Sequence, residues 1–247
     1  MRRLAFVLLG LSLMCFAFLT QNRVTVFMVG DSTMMTYKDL NNPQRGWGQV
    51  FQSFFDTAHI KVENYAMGGR SSRSFMEEGR WKRVLDRLQK GDYVFIQFGH
   101  NDASKNKPER YTPVEDFKKY LLQYITEARE KGAIPVLLTQ TSTRSFDKEG
   151  HFDQKPNGYV EATKLVAEEN KVPLIDMNFE SAKIVSGMGA EGAKKMYMCF
   201  APGENSLFPE GKEDNTHMQE LGAVKMAEIA AKGIRNLHLE LEQWLVK

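Results

Sequence analysis

Short apolar runs alternate along the chain with longer segments whose apolar positions recur every three or four residues. Residues 24–29 form the first such run, rich in β-branched and aromatic side chains. Residues 60–66, 93–98, 134–139 and 172–176 repeat the pattern, so five strands are expected. Between them, residues 47–55, 75–89, 113–131, 159–170, 179–186 and 220–237 carry helical spacing. In 75–89 the apolar face is Trp81, Val84, Leu85 and Leu88. Gly132 is placed to end the helix over 113–131.

Strands separated by helices of this length join through right-handed crossovers into a parallel sheet. The strands are nearly continuous apolar runs, as a sheet covered on both faces requires. The chain is therefore read as an α/β domain with a doubly wound, flavodoxin-like strand arrangement. Residues 197–215 have no clear period and are rich in Pro, Gly and polar residues, so an irregular loop is expected there.

The first residues depart from this alternation. Arg2 and Arg3 precede a nearly unbroken apolar run over 4–19, the pattern of a secretory signal peptide. A retained N-terminal anchor is the alternative for residues 1–22, although the run is shorter than the roughly 20 residues of a full span. The remainder, 23–247, is read as one domain. Its 31 basic residues, after Arg2 and Arg3 are removed, balance 31 acidic ones. That balance gives no basic footprint for nucleic acid. Of the two cysteines only Cys199 would remain, so the exported chain would rely on its core and not on an internal disulfide.

Ligands of open α/β sheets bind beyond the carboxyl ends of the strands. Three polar clusters occupy those positions: Gly30-Asp31-Ser32-Thr33, Gly68-Gly69-Arg70-Ser71 and Gly99-His100-Asn101-Asp102. A fourth candidate, Asp214 with His217, stands just before the last helix, where this spacing turns both side chains the same way. Ser32 is then a nucleophile, His217 its base and Asp214 the group that orients the imidazole. The backbone N–H groups of Ser32 and Gly69 and the amide of Asn101 are candidate oxyanion donors.

Other residues keep two readings. Asp31 is read as a turn cap, and His100 as a packing residue. The stretch Gly187 to Gly192 matches G-x-G-x-x-G but follows a helix, so it is not read as a dinucleotide site. No H-E-x-x-H, paired C-x-x-C or G-x-S-x-G occurs.

The four blocks resemble the SGNH (GDSL-type) hydrolase superfamily, with Ser32 in "GDST", Gly69 in "AMGGRS", Asn101 in "GHND" and His217 in "DNTH". The details "GDSTM", "GWG", "GGRSSRSF", "EGRW" and "FGHND" resemble its rhamnogalacturonan acetylesterase branch. That resemblance implies a three-layer α/β/α fold with a five-stranded parallel sheet. It implies an acyl-enzyme that removes acetyl groups from pectin, with no metal and no cofactor. Arg70 and Trp47 are the expected substrate contacts: Arg70 and Arg73 either meet uronate carboxylates or form local ion pairs, and Trp47 either stacks on a sugar or belongs to the core. The expected partner is an acetylated polysaccharide, met by an exported, monomeric enzyme in the periplasm or outside the cell. Another acetylated glycan such as xylan, a small ester or lipid, or a non-catalytic carbohydrate-binding role are the alternatives.

Overall fold

The first apolar run becomes strand β1, Val24–Gly30, an interior strand of a parallel sheet. The computed structural model describes residues 23–154 and 157–246. The segment read as a signal peptide, 1–22, lies outside them. Strands β2 (Ile60–Asn64), β3 (Tyr93–Gln97), β4 (Ile134–Leu138) and β5 (Leu174–Ile175) complete the sheet in the order β2-β1-β3-β4-β5. Every pairing is parallel, which is the flavodoxin-like order expected.

Side chains alternate across the sheet, so adjacent residues serve different layers. Val26, Met28, Phe95, Val136 and Leu138 face one layer. That layer contains α1 (Trp47–Val50), α6 (Met177–Ala193) and α7 (Glu220–Asn236). Phe27, Val29, Val94, Ile96 and Leu137 face the other. It holds α2 (Ser72–Glu77), α3 (Arg80–Leu85), α4 (Val114–Glu130) and α5 (Gly158–Glu169). The result is a three-layer α/β/α fold. Each fully buried Val, Phe or Met side chain is worth about 1.5–3 kcal/mol, so the two clusters hold the layers together.

Three stretches differ from the sequence pattern. The helix expected over 75–89 is two short helices, because Gly79 takes φ +68° between them. L-residues with side chains avoid that conformation, so the glycine fixes the break. Ser71 caps α2 in a reciprocal box with Ser74. The sixth helix runs on to Ala193, with Gly189 out of helical geometry, and absorbs the glycine-rich stretch. Residues 197–215 are not irregular throughout. They contain β6 (Tyr197–Phe200) and the start of β7 (Lys212–Met218), an antiparallel pair separate from the main sheet. Among the described residues no helix is long and apolar enough to cross a membrane.

Candidate active site

Strand β1 ends in Gly30, whose register partner is Gln97. A Cβ at Gly30 would stand 2.7 Å from the Gln97 carbonyl oxygen, so only glycine lets the two strands close here. Asp31 follows, and its Oδ1 accepts hydrogen bonds from the Thr33 N–H at 2.9 Å and the Thr33 hydroxyl at 2.8 Å. This is the turn-capping role expected of Asp31. The turn leaves Ser32 partly exposed between two buried neighbours.

The imidazole of His217 reaches Ser32 from the other end of the chain. Its Nε2 lies 2.9 Å from Ser32 Oγ, and its Nδ1 lies 2.8 Å from Asp214 Oδ2. Asp214 Oδ1 also accepts the backbone N–H groups of Thr216 and His217, at 3.1 and 2.9 Å. Burial works against ionisation of Asp214, but these hydrogen bonds outweigh it and hold its carboxyl down at about 2. The carboxylate is thus charged at neutral pH.

The local fold differs from the helix start expected for this pair. Tyr197 pairs with Met218, yet the next residue, Met198, pairs with Asp214. One step on β6 therefore spans four on β7, and Asn215, Thr216 and His217 arch out as a bulge. Bulges re-aim side chains in this way. Arg144, on the loop after β4, anchors the arch. Its N–H donates to the Asn215 carbonyl at 2.8 Å and its Nη1 to Asn215 Oδ1 at 2.7 Å. The Tyr197 hydroxyl donates to the Ser142 carbonyl at 2.8 Å, tying β6 to the same loop.

The second and third clusters close round Ser32. A Cβ placed on Gly68 would lie 3.5 Å from Ser32 Cβ, so this backbone runs past Ser32. Gly69 takes φ +78°, a conformation that favours glycine. Among the described residues, neither the Ser32 nor the Gly69 N–H finds a protein acceptor. Asn101 Nδ2 donates to the Arg70 carbonyl at 3.0 Å, which fixes the amide beside the same loop and leaves its second hydrogen unused. Asp102 links the two clusters by accepting from the Ser72 N–H at 3.0 Å, the Ser72 hydroxyl at 2.6 Å and the Gly99 N–H at 3.1 Å. Burial raises the Asp102 carboxyl to about 6, against the opposing pull of these bonds.

Two expected substrate contacts stand differently. Trp47 is fully buried, and its indole N–H donates to Gln97 Oε1 at 2.8 Å. Its faces are covered by the core, Phe51 among them, so it cannot stack on a sugar. Arg70 spends its Nε on Glu78 at 3.0 Å and its Nη1 on the Gly68 carbonyl at 2.8 Å. Arg73 pairs with Glu77 and donates to the carbonyls of Pro108 and Tyr111. Both arginines follow the ion-pair reading. His100 lies 3.4 Å from the Thr141 hydroxyl through Nε2.

Other residues at the site carried no motif. Tyr37 donates its hydroxyl to the Ser32 carbonyl at 3.0 Å and accepts from Gln44 Nε2 at 2.6 Å. Burial pushes its phenol above the ordinary tyrosine range, so it stays a neutral donor. Arg110 places its Nη1 3.5 Å from the Gly69 carbonyl. Both residues sit in connecting segments, where helical or strand periodicity gives no signal.

Comparison with known proteins agrees with this geometry. Residues 26–230 match the family model for GDSL-like lipases and acylhydrolases. The chain is 40% identical to the rhamnogalacturonan acetylesterase RhgT of Bacillus subtilis (strain 168) over 90% of this chain and 94% of that protein. It is 44% identical to the probable rhamnogalacturonan acetylesterase YesY of the same organism, over 90% and 97%. The crystal structure of the Bacillus subtilis YxiM protein superposes with a TM-score of 0.76 at 29% identity. The match covers 88% of this chain and 58% of that one.

Proposed function

The chain belongs to the GDSL-like lipase and acylhydrolase family, and on that premise we propose that it is a serine esterase removing acetyl groups from rhamnogalacturonan. The observation that carries the mechanism is the line of contacts from Ser32 Oγ through His217 to Asp214, at 2.9 and 2.8 Å. The substrate assignment rests on the two rhamnogalacturonan acetylesterase relatives, which match across nine tenths of this chain.

In this reading Ser32 Oγ attacks the acetyl carbonyl carbon while His217 Nε2 takes the hydroxyl proton. Asp214 holds the ring by its Nδ1–H and stabilises the imidazolium that forms. Negative charge gathers on the carbonyl oxygen, and the N–H groups of Ser32 and Gly69 with the Asn101 amide receive it. The tetrahedral adduct collapses by breaking the bond to the sugar oxygen. His217 returns its proton to that oxygen, and the sugar leaves as an alcohol. Water then attacks acetyl-Ser32 with His217 as base again, and acetate and the free serine result. The unused N–H groups and the Asn101 amide pinned beside them support this assignment of donors.

All these groups come from one chain, so the proposed chemistry needs no residue from a second copy. The apolar run over 4–19 behind Arg2 and Arg3 supports export, with 23–247 as the working domain. The test is acetate release from acetylated rhamnogalacturonan, acetylated xylan and p-nitrophenyl acetate, with Ser32→Ala as control. Preferential release from the pectic polymer, lost in the variant, is expected. Preferential release from xylan would overturn the substrate, and full activity of Ser32→Ala would overturn the mechanism.

A further inference from the structure

Positive charge near the proposed oxyanion loop is unevenly satisfied. Arg70, Arg73 and Arg80 each hold a carboxylate, Glu78, Glu77 and Glu78 respectively. Arg110 holds none. Among the described residues no carboxylate lies within ion-pair distance of its guanidinium. Its one side-chain hydrogen bond is the long contact from Nη1 to the Gly69 carbonyl, and its Nε is buried without an acceptor. A guanidinium offers five donors in a planar fork that matches a carboxylate, so this group is under-used where it stands.

Its position is the second observation. A Cβ on Gly69 would lie 3.3 Å from Arg110 Nη1, and one on Gly68 would lie 3.5 Å from Ser32 Cβ. The Gly68-Gly69 backbone thus runs past Ser32 at its first residue and past the Arg110 guanidinium at its second. The segment from β3 to α4 that carries Arg110 adds Lys105 and Lys107, both exposed and without an ion-pair partner among the described residues, against one exposed acid, Glu109. An anionic group on a chain-like substrate would meet this cationic edge as its ester entered the site.

We propose that Arg110 is a specificity-determining residue that docks a uronate carboxylate of the glycan whose acetyl ester is cleaved at Ser32. The inference rests on the deacetylase reading and names the charged group that the substrate presents. It gives the guanidinium the ion-pair partner it lacks and gives the enzyme a means to distinguish a polyanionic glycan from a neutral one. Lys105 and Lys107 add long-range attraction that salt screens.

The test is calorimetric binding of an unesterified galacturonate oligomer to the wild-type chain, Arg110→Gln and Arg110→Lys. Binding at least tenfold weaker in Arg110→Gln is expected, with Arg110→Lys between, because lysine keeps the charge and loses the fork. No binding by the wild type, or binding by Arg110→Gln as tight as that of the wild type, overturns the proposal. If Arg110→Gln fails to fold, Arg110→Lys alone decides by the same comparison. A kinetic readout separates docking from support of the Gly69 loop. The ratio of kcat/KM on acetylated rhamnogalacturonan to that on acetylated xylan should fall about tenfold in Arg110→Gln. An equal loss on both polymers overturns docking in favour of a positioning role. The failure of the deacetylase reading has its own signature, no acetate released from the pectic polymer by the wild type, whatever the oligomer binding shows.

Discussion

Asp214 grips His217 twice, accepting the ring Nδ1–H through Oδ2 at 2.8 Å and the backbone N–H through Oδ1 at 2.9 Å. One carboxylate thus sets the tautomer of the imidazole and the shape of the arch that presents it. Asp214→Asn keeps the size but offers an amide where Nδ1 needs an acceptor. A kcat loss of roughly 10⁴ is expected from the wrong tautomer. Steady-state kinetics on p-nitrophenyl acetate measure it, and a loss under tenfold would count against the orienting role.

The oxyanion assignment leads to a separate expectation for Asn101. Asn101→Ala removes one donor and should lower kcat by about 10²–10³ while KM changes little. It also frees the Arg70 carbonyl, so stability should fall by about 1 kcal/mol. Parallel kinetics and urea unfolding check both. A rise in KM with kcat intact would assign Asn101 to ground-state binding.

Trp47 is a core residue, and its variant should behave as one. Trp47→Phe leaves Gln97 Oε1 without its indole donor inside the core. A stability loss of about 1–3 kcal/mol is expected by chemical denaturation. The KM for the glycan should not move, and a several-fold rise would restore the sugar-stacking role.

Two carboxyls give stability opposite dependences on pH. Asp214 is held at about 2, below the ordinary 3.8, so its contribution is present above 3.8 and is lost as pH falls towards 2. Asp102 is raised to about 6, so the folded state binds the extra proton between 3.8 and 6. Its contribution is therefore full below 3.8 and declines as pH rises through 6. The stability cost of Asp102→Asn should accordingly be larger at pH 4 than at pH 7. Urea unfolding of both proteins at the two pH values measures the difference, and a cost that grows with pH would reverse the sign.

The sheet and the polar clusters at its edge were legible in the sequence for one physical reason. Strands buried on both faces must be apolar throughout, so residues such as Val26, Val94 and Val136 announce them and the polar clusters stand out at their ends. The strand order agreed with the flavodoxin-like expectation. The β6–β7 pair was not legible, because Lys212 to His217 is polar and its ladder is interrupted by the bulge. The spacing of Asp214 and His217 fits a helix start, yet the bulge brings the two together by another geometry. Arg110 and Tyr37 lie in loops, where only the fold reveals what a side chain touches. Trp47 carried an ambiguity that burial alone could resolve, since an aromatic beside a glycine suits a core and a sugar platform equally.

The most direct measurement of the central claim is covalent labelling of the nucleophile. The chain is treated with a serine-directed organophosphonate and the adduct is mapped by peptide mass spectrometry. One adduct on Ser32 is expected, forming with loss of esterase activity and far more slowly in His217→Ala. An inactivated protein labelled at another residue, or an esterase that stays active with Ser32 labelled, would contradict the account.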